Sequence, residues 1–263
     1  MPDDDASRLV QSTMTSLRIL EYVYEHREAR LTDVATDLDI GYSTAHNHLA
    51  TLEEGEWLVR TDGVYSLGLK FLGFGRAARR NVPFFGIVRR LTSELSKQMN
   101  FEVEFLVEEY GRLVSIIDLI PSNAVYGNVD DGWQGVGISY NMTNTASGKA
   151  ILAELPAERV EAIIEEWGFD PETPYSVTDR ETLFRQLETA RERGYAKAHQ
   201  EVHEGFENIA VAVNYPDGSV FGAISIGWPS YIFDGGIDQD VIDQLIETKR
   251  RLEAEIDDAA GPA

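Results

Sequence analysis

The 263-residue sequence has no cysteine, only five lysines and no apolar run long enough to cross a membrane. The lack of cysteine excludes disulfides, thiolate metal ligands and a cysteine nucleophile. The acidic N-terminal segment MPDDDASRLV lacks the apolar core of a secretory signal, so we expect a cytoplasmic protein with no membrane partner. Hydrophobic residues still make up 43%, which predicts a globular chain long enough for two domains.

Acidic residues dominate the charge, because 45 Asp and Glu oppose 23 Lys and Arg and the net charge is −22. Such a surface could bind cations or basic partners, or it could be a solvated surface suited to very high salt. The acids are scattered along the chain, which favours the second interpretation, and the composition resembles that of halophilic archaeal proteins. At ~1 M salt the Debye length is only about 3 Å, so self-repulsion costs such a chain little.

The charge is unevenly distributed along the sequence. Residues 8–80 carry nine Lys and Arg against ten Asp and Glu, whereas residues 81–263 carry 14 against 32. The N-terminal third is therefore almost neutral, as a segment must be if it approaches the phosphates of a nucleic acid.

The N-terminal third has the pattern of three short helices followed by a hairpin. Residues 12–26 predict a helix with Leu17, Leu20, Val23 and Tyr24 on one face, and residues 31–40 predict a second, short helix. The stretch GYSTAHNHLATLEEGEWL predicts a third helix, with apolar residues at helical spacing. Two short strands follow around the turn signal Asp62-Gly63, and the whole outlines a winged helix-turn-helix.

The remaining sequence predicts a linker helix and then an α+β domain. Segment 66–80 forms the linker, and its Leu69, Phe71 and Leu72 provide more apolar surface than a small winged helix can cover. Helices are predicted at 84–99, 146–155, 157–167, 180–193 and 237–256, and strands at 101–109, 112–120, 207–215 and 219–228. Residues 125–142 are glycine-rich and irregular, and residues 194–205 read as a loop before a strand.

The segment SGKA raises two enzymatic alternatives. Gly148-Lys149 would belong to a phosphate-binding loop, but Ala150 replaces the required Ser or Thr and Thr143 replaces the upstream glycine. Ser147 with Lys149 would form an activated nucleophile, but the spacing is not the S-x-x-K of acylating enzymes. We therefore favour close packing at Gly148 and a structural or surface role for Lys149.

Two further groups of side chains have residue types suited to chemistry. His199 and His203 would share a face of a helix and could bind zinc, but they fall in the predicted loop, so we expect exposed histidines. Paired carboxylates suit acid–base catalysis, yet they are expected by composition in so acidic a chain; they are Glu108-Glu109 and Asp130-Asp131. We predict no catalytic residue, metal or cofactor.

The two halves, in this order, resemble the IclR family of transcriptional regulators. The resemblance runs from about residue 8 to 256, through LTDVATDLDIGYSTAHNHLATLEEGEWLVR and GVYSLGLKFLGFG, then TASGKAILAEL and RERGYAKAHQEVHEGFENIAVAVNYPDGSVFGAISI. It implies a winged helix-turn-helix at 8–67, a linker helix at 68–82 and a GAF-like effector-binding domain at 83–258. It also implies a homodimer or dimer of dimers that binds a double-stranded DNA operator under control of a small-molecule effector.

On this interpretation the third helix enters the major groove and reads bases near its N-terminal end. The candidate readers are Tyr42, Ser43, Thr44, His46 and Asn47, and Arg60 on the wing is a candidate phosphate contact. His48 should lie nearer the packed side. Many family members carry arginine where this chain has Asn47, so hydrogen bonds must supply the specificity.

The resemblance places the effector against the start of TASGKA and the two late strands. The implied effector-binding residues are Thr145, Ala146, Ser147, Phe206, Asn208, Ser225 and Gly227. Because free N–H groups at a helix start favour an anion, we expect a small carboxylate. An acidic residue common in the family is replaced by Ala198. The alternative is that Asn208 and Ser225 only satisfy buried backbone groups.

These observations predict an effector-controlled, DNA-binding transcriptional regulator. The alternative is a small-molecule sensor or metabolic enzyme that uses the α+β domain, with the winged helix serving protein contacts. Binding to a specific DNA site at molar salt would separate the two classes.

Overall fold

The structure, a computed structural model, describes residues 9–121, 135–233 and 237–261. The chain divides into two compact units, Met1–Asn81 and Val82–Ala263. The carboxylate pair Asp130-Asp131 and most of the glycine-rich segment 125–142 lie outside the described residues. Within the described ranges, no helix is both long and apolar enough to cross a membrane.

The first unit is a set of helices with a small antiparallel sheet. Its elements are α1 (Gln11–His26), β1 (Ala29–Arg30), α2 (Leu31–Asp37), α3 (Tyr42–Glu54), β2 (Leu58–Thr61), β3 (Val64–Leu67) and α4 (Lys70–Arg80). The strands lie in the order β1-β3-β2. The hairpin between β2 and β3 turns at Asp62 and Gly63, and both have positive φ, as a two-residue hairpin turn requires. The predicted winged helix-turn-helix is confirmed.

The core of this unit is built from α1 and α3. Ala45, Leu49 and Leu52 of α3 are buried, as their spacing predicts. The predicted face of α1 is wrong for Leu17 and Tyr24, which are exposed, whereas Val23 is buried and Leu20 is half-buried against the core as predicted. Ile19 and Tyr22 complete the buried face of the helix. Leucine periodicity alone pointed to a face rotated from the one that packs.

The second unit is a six-stranded antiparallel sheet with helices on both faces. Its elements are α5 (Phe85–Met99), β4 (Glu102–Glu109), β5 (Arg112–Leu119), β6 (Ser139–Tyr140), α6 (Ala146–Glu154), α7 (Ala157–Trp167), α8 (Arg180–Arg193), β7 (Ala196–His199), β8 (Phe206–Asn214), β9 (Val220–Pro229) and α9 (Gln239–Ala260). The strand order is β6-β5-β4-β9-β8-β7. The prediction of a loop at 194–205 is wrong for residues 196–199, which form β7 and pair with β8.

The two faces of this sheet bury different kinds of side chain. Large residues fill the face towards α5 and α9, and they include Val103, Phe105, Ile224, Ile226 and Trp228. The face towards α6, α7 and α8 has mostly alanine on its late strands, at positions 196, 198, 210, 212 and 223. Small residues on one face leave room between the sheet and α6, and the candidate effector residues lie there.

Candidate functional site

The N-terminal part of α3 presents every predicted base reader to solvent. Tyr42, Ser43, Thr44, His46 and Asn47 are all exposed, while Ala45 and Leu49 anchor the opposite face in the core. His48 is half-buried and its Nδ1 lies 2.8 Å from the Ser16 hydroxyl of α1, so it faces the packed side as predicted. The helix therefore offers hydrogen-bonding groups without any cation of its own.

Arginines flank the hairpin on both sides of β3. Arg60 on β2 is exposed, and its guanidinium carbon lies 5.8 Å above the Tyr65 ring. Arg30 on β1 pairs opposite Val64 and is also exposed. Sequence reasoning missed Arg30 because its strand has only two residues. The part of the sheet next to the Asp62-Gly63 turn thus carries two cations able to reach DNA phosphates.

The start of α6 is held rigidly by its own sequence. The Thr145 hydroxyl caps the helix by accepting a hydrogen bond from the Gly148 N–H at 2.9 Å. A Cβ on Gly148 would lie 2.2 Å from the Met142 carbonyl oxygen, so only glycine permits this close approach. The close packing predicted at Gly148 is confirmed. The first N–H groups of a helix lack intrahelical acceptors, which suits them to an anion.

A cavity between this helix start and the sheet has an empty volume of about 440 Å³, part of it open to solvent. Six of the seven predicted effector residues line it, namely Thr145, Ala146, Ser147, Phe206, Asn208 and Ser225. Its described lining also includes residues that sequence reasoning did not name for it: Glu104, Leu106, Tyr140, Val202 and His203.

Gly227 supports the cavity and is absent from its described lining. A Cβ on Gly227 would lie 2.6 Å from the Phe206 ring and 2.8 Å from Asn208 Nδ2. Phe206 and Asn208 can therefore occupy their positions only because residue 227 has no side chain. The contribution of Gly227 is to make space for its two neighbours.

Three carboxyl groups meet at the sheet side of the cavity. One carboxylate oxygen of each of Glu102, Glu104 and Asp118 lies within 4.8 Å of the other two, an arrangement that could hold a cation. Burial and repulsion from Asp118 raise the pKa of Glu104 to about 8, although the Ser115 hydroxyl opposes this by donating a hydrogen bond. Burial raises the pKa of Asp118 to about 6. At neutral pH Glu104 is therefore mostly protonated and can donate a hydrogen bond.

The two histidines considered for zinc have separate environments. His199 is exposed, as predicted, and its Nδ1 lies 2.8 Å from Glu207 Oε1. His203 is half-buried and lines the cavity, so the expectation of exposure is wrong for this residue. Burial lowers the pKa of His203, which keeps its ring neutral at neutral pH.

Lys149 is a structural lysine. Its side chain is 1% exposed, and its Nζ lies 2.5 and 2.6 Å from the two carboxylate oxygens of Glu201. A lysine engaged in this way is unavailable to bind a phosphate or to activate Ser147. The structural alternative for Lys149 is confirmed.

Comparison with known proteins places both units in one family. Residues 14–62 match the IclR helix-turn-helix domain, and residues 80–254 match the family described as bacterial transcriptional regulator IclR C-terminal. The probable HTH-type transcriptional regulator ArcR of Halobacterium salinarum is 27% identical over 223 residues, 84% of each chain. The HTH-type transcriptional regulator KdgR of Escherichia coli is 27% identical over 257 residues, 94% of this chain and 93% of KdgR.

Solved structures show the same fold. An IclR transcriptional regulator from Alicyclobacillus acidocaldarius superposes with a TM-score of 0.77 at 22% identity, covering 95% of this chain and all of the other. An IclR homolog from Microbacterium hydrocarbonoxydans, complexed with 4-hydroxybenzoate, has a TM-score of 0.74 at 19% identity, over 93% and 98% of the two chains. The relatives are regulators of transcription and not enzymes. The chain therefore belongs to the IclR family of transcriptional regulators, with an N-terminal helix-turn-helix DNA-binding domain and a C-terminal effector-binding domain.

Proposed function

We propose that this regulator reads its operator with α3 and senses a small hydroxylated carboxylate in the cavity beneath α6. In this proposal residues 8–67 contact the DNA, residues 68–82 link the parts and residues 83–258 bind the effector. Asn47 pairs with an adenine edge, while Tyr42, Ser43, Thr44 and His46 make the neighbouring base contacts. Arg60 and Arg30 contact backbone phosphates on either side of the hairpin.

The two ends of the cavity define the class of effector. At one end Thr145, Ala146 and Ser147 form a helix start, where N–H groups and the helix dipole favour a carboxylate. At the other end Glu104 is mostly protonated at neutral pH, so it donates a hydrogen bond to an oxygen of the ligand and does not repel the anion. Phe206 provides an apolar wall, as a short carbon skeleton or an aromatic ring requires.

Asn208 and Ser225 connect these two ends. They lie on the adjacent strands β8 and β9, on the face towards α6, and Ser225 is directly opposite Glu104 on β4. Their amide and hydroxyl groups can both donate and accept, so they fix a ligand hydroxyl beside the carboxyl of Glu104. The observation that carries the proposal is this convergence of a helix start and buried polar groups on one cavity.

Thermal shift measurements with organic and aromatic hydroxy acids, including 4-hydroxybenzoate, test the effector class. A ligand present at 100 times its Kd should stabilise the protein by about 2.7 kcal/mol. We expect Asn208→Ala and Ser225→Ala to reduce this shift, whereas Ser219→Ala in an exposed turn should leave it unchanged. The same hit should alter operator affinity in fluorescence anisotropy. A shift that survives in both cavity variants would place the ligand elsewhere.

The regulator acts, we propose, as a homodimer or dimer of dimers in a high-salt cytoplasm. Helix α4 has no buried residue in the structure, and Leu69 and Leu72 are 82% and 70% exposed. Leu9, Val10, Met14 and Leu17 add exposed apolar surface at the start of α1. A partner chain that covers these residues places two α3 helices on half-sites about one DNA turn, roughly 34 Å, or a multiple of it apart.

A further inference from the structure

The second unit contains another cavity, separate from the effector cavity, on the side where α8 meets the edge strand β7. Its empty volume is about 680 Å³. The lining includes four cationic side chains and a single carboxylate; these are Lys149, Arg185, Arg193, Lys197 and Glu201. Residues 81–263 hold only 14 Lys and Arg against 32 Asp and Glu. Four cations around one cavity are therefore a strong local reversal of the charge of this unit.

Two of these cations are not neutralised by a salt bridge among the described residues, although the charge of Arg185 helps to lower the pKa of nearby Asp179. Within the described ranges neither Arg185 nor Arg193 forms an ion pair, although α8 neighbours such as Arg180 and Arg191 do. Arg193 donates through Nε to the Tyr195 carbonyl and lies 4.3 Å from the centre of the Tyr195 ring, which fixes its guanidinium. Arg185 donates through Nη2 to the Thr182 hydroxyl. Each guanidinium keeps further N–H donors for a ligand.

The remaining lining groups favour an oxyanion with a hydroxyl group attached. Lys149 is already matched by Glu201, and Lys197 lies 2.8 Å from Glu207, so the excess positive charge resides on Arg185 and Arg193. The buried Oε1 of Gln186 has no hydrogen-bond donor in the described part of the chain. A ligand hydroxyl would donate a hydrogen bond to that oxygen and so satisfy it.

We propose that this cavity is a second ligand site, which binds a phosphate group through Arg185 and Arg193 and a hydroxyl of the same molecule through Gln186. The ligand class is a small phosphorylated polyol or sugar. Guanidinium groups bind phosphate oxygens in pairs, and such directed hydrogen bonds persist in salt that screens isolated charges.

The site is placed to influence the effector cavity. Lys149 belongs to α6, whose first residues line the effector cavity, and Glu201 immediately precedes Val202 and His203, which line it as well. The buried ion pair of Lys149 and Glu201 therefore separates the two cavities. A phosphate held by Arg185 and Arg193 would act electrostatically on this ion pair, which lines the same cavity, so occupation of one site should alter affinity at the other.

Titration calorimetry of the full chain at constant, high KCl tests the site with inorganic phosphate, a hexose, and the corresponding hexose phosphate. We expect saturable binding of the hexose phosphate, weaker binding of inorganic phosphate and none of the hexose. Arg185→Gln with Arg193→Gln should weaken binding by about tenfold or more. Arg180→Gln with Arg250→Gln removes the same charge from exposed positions outside the cavity lining and should leave binding unchanged.

Three outcomes would overturn the proposal. If neither inorganic phosphate nor the hexose phosphate binds saturably, the cavity is not a ligand site. Equal weakening in the two double variants would show a general effect of charge. Undiminished binding in the Arg185 and Arg193 variant, confirmed as folded by its thermal transition, would place the ligand elsewhere. None of these results depends on the effector proposed for the first cavity.

Discussion

Glu104 on β4 lies directly opposite Asp118 on β5, and their carboxyl groups meet beside the effector cavity. Two ionised carboxylates at this distance repel each other, and burial adds the cost of desolvation. A proton retained on Glu104 removes most of both costs. Glu104 is thus a hydrogen-bond donor to the cavity because ionisation of both carboxyl groups would destabilise the folded chain.

This relationship predicts a specific dependence of stability on pH. Because the pKa of Glu104 is raised from 4.5 to about 8, the folded chain retains a proton that the unfolded chain has released. The free energy of unfolding should therefore fall as pH rises through that window and level off above it. Glu104→Gln should be similar to the wild type near pH 4.5 and more stable at about pH 9.

Thermal unfolding of both proteins across this range provides the measurement. One pKa unit corresponds to about 1.4 kcal/mol, and 1 kcal/mol moves the Tm by about 2–4 °C for a unit of this size. We expect a difference of several degrees at the alkaline end. His203 titrates in both proteins, so the difference between them reports Glu104 together with its repulsion of Asp118. A constant difference at every pH would show that Glu104 keeps an ordinary pKa.

Local signals explain why several helix boundaries could be read from the sequence. Helix α8 begins after Asp179, whose side chain accepts a hydrogen bond from the Thr182 N–H, and ends before Gly194, which has positive φ. Strand β7 was missed because Ala196-Lys197-Ala198-His199 contains no β-branched or aromatic residue. Its strand conformation comes from pairing with β8, a contact with a later part of the chain.

The effector cavity is also built from distant parts of the chain, which limits what the sequence alone predicts about it. Thr145, Asn208 and Ser225 could be placed by resemblance to the family, whereas Glu104 could not be distinguished among so many acidic residues. One signal was available: in FEVEFLVEE, Glu102 and Glu104 alternate with Val103 and Phe105 in a predicted strand. Acidic residues on a buried face of a sheet indicate a functional cavity or a compensating partner.

Two substitutions separate base recognition from phosphate contact. Asn47→Ala should lose discrimination at one base pair, at a cost of about 1–3 kcal/mol. Arg60→Ala should weaken binding to all sequences evenly, because a phosphate contact carries no sequence information. The salt dependence should be shallow, since α3 carries no Lys or Arg.

Fluorescence anisotropy with operator variants distinguishes these effects, with Ala50→Ser as an exposed control on the same helix. If the Asn47 variant keeps the sequence preference of the wild type, Asn47 does not read a base.

Assembly depends on the exposed apolar face of α4. Leu69→Ser with Leu72→Ser should convert the dimer to a monomer, because these side chains are the most exposed large hydrophobic residues of that region. Sedimentation velocity at micromolar concentration in about 2 M KCl, where surface charges are screened, gives the mass. Tyr231→Ser, at a residue 67% exposed in the second unit, is the control and should remain dimeric. A monomeric wild type, or a dimeric double variant, would contradict the prediction.

The ion pair of Lys149 and Glu201 tests how much a buried charge pair contributes to the stability of the fold. Burial lowers the pKa of Lys149 and raises that of Glu201, whereas their contact through both carboxylate oxygens favours the charged forms. Glu201→Gln leaves a buried ammonium without its counter-charge and should cost about 3–5 kcal/mol. Glu161→Gln breaks the exposed pair with Arg180 and should cost at most about 1 kcal/mol.

The Lys149→Met variant tests the same ion pair through the pH dependence of stability. Without the ammonium, the pKa of the buried Glu201 should rise further, so the folded variant must hold a proton that the unfolded chain releases above pH ~4.5. Its stability should approach that of the wild type at low pH and fall progressively as pH rises. Combining Lys149→Met with Glu201→Gln removes both charges, so it should restore much of the lost stability and abolish this pH dependence. If Glu201→Gln costs no more than Glu161→Gln in denaturant titrations, the buried pair does not hold α6 against the segment that follows β7.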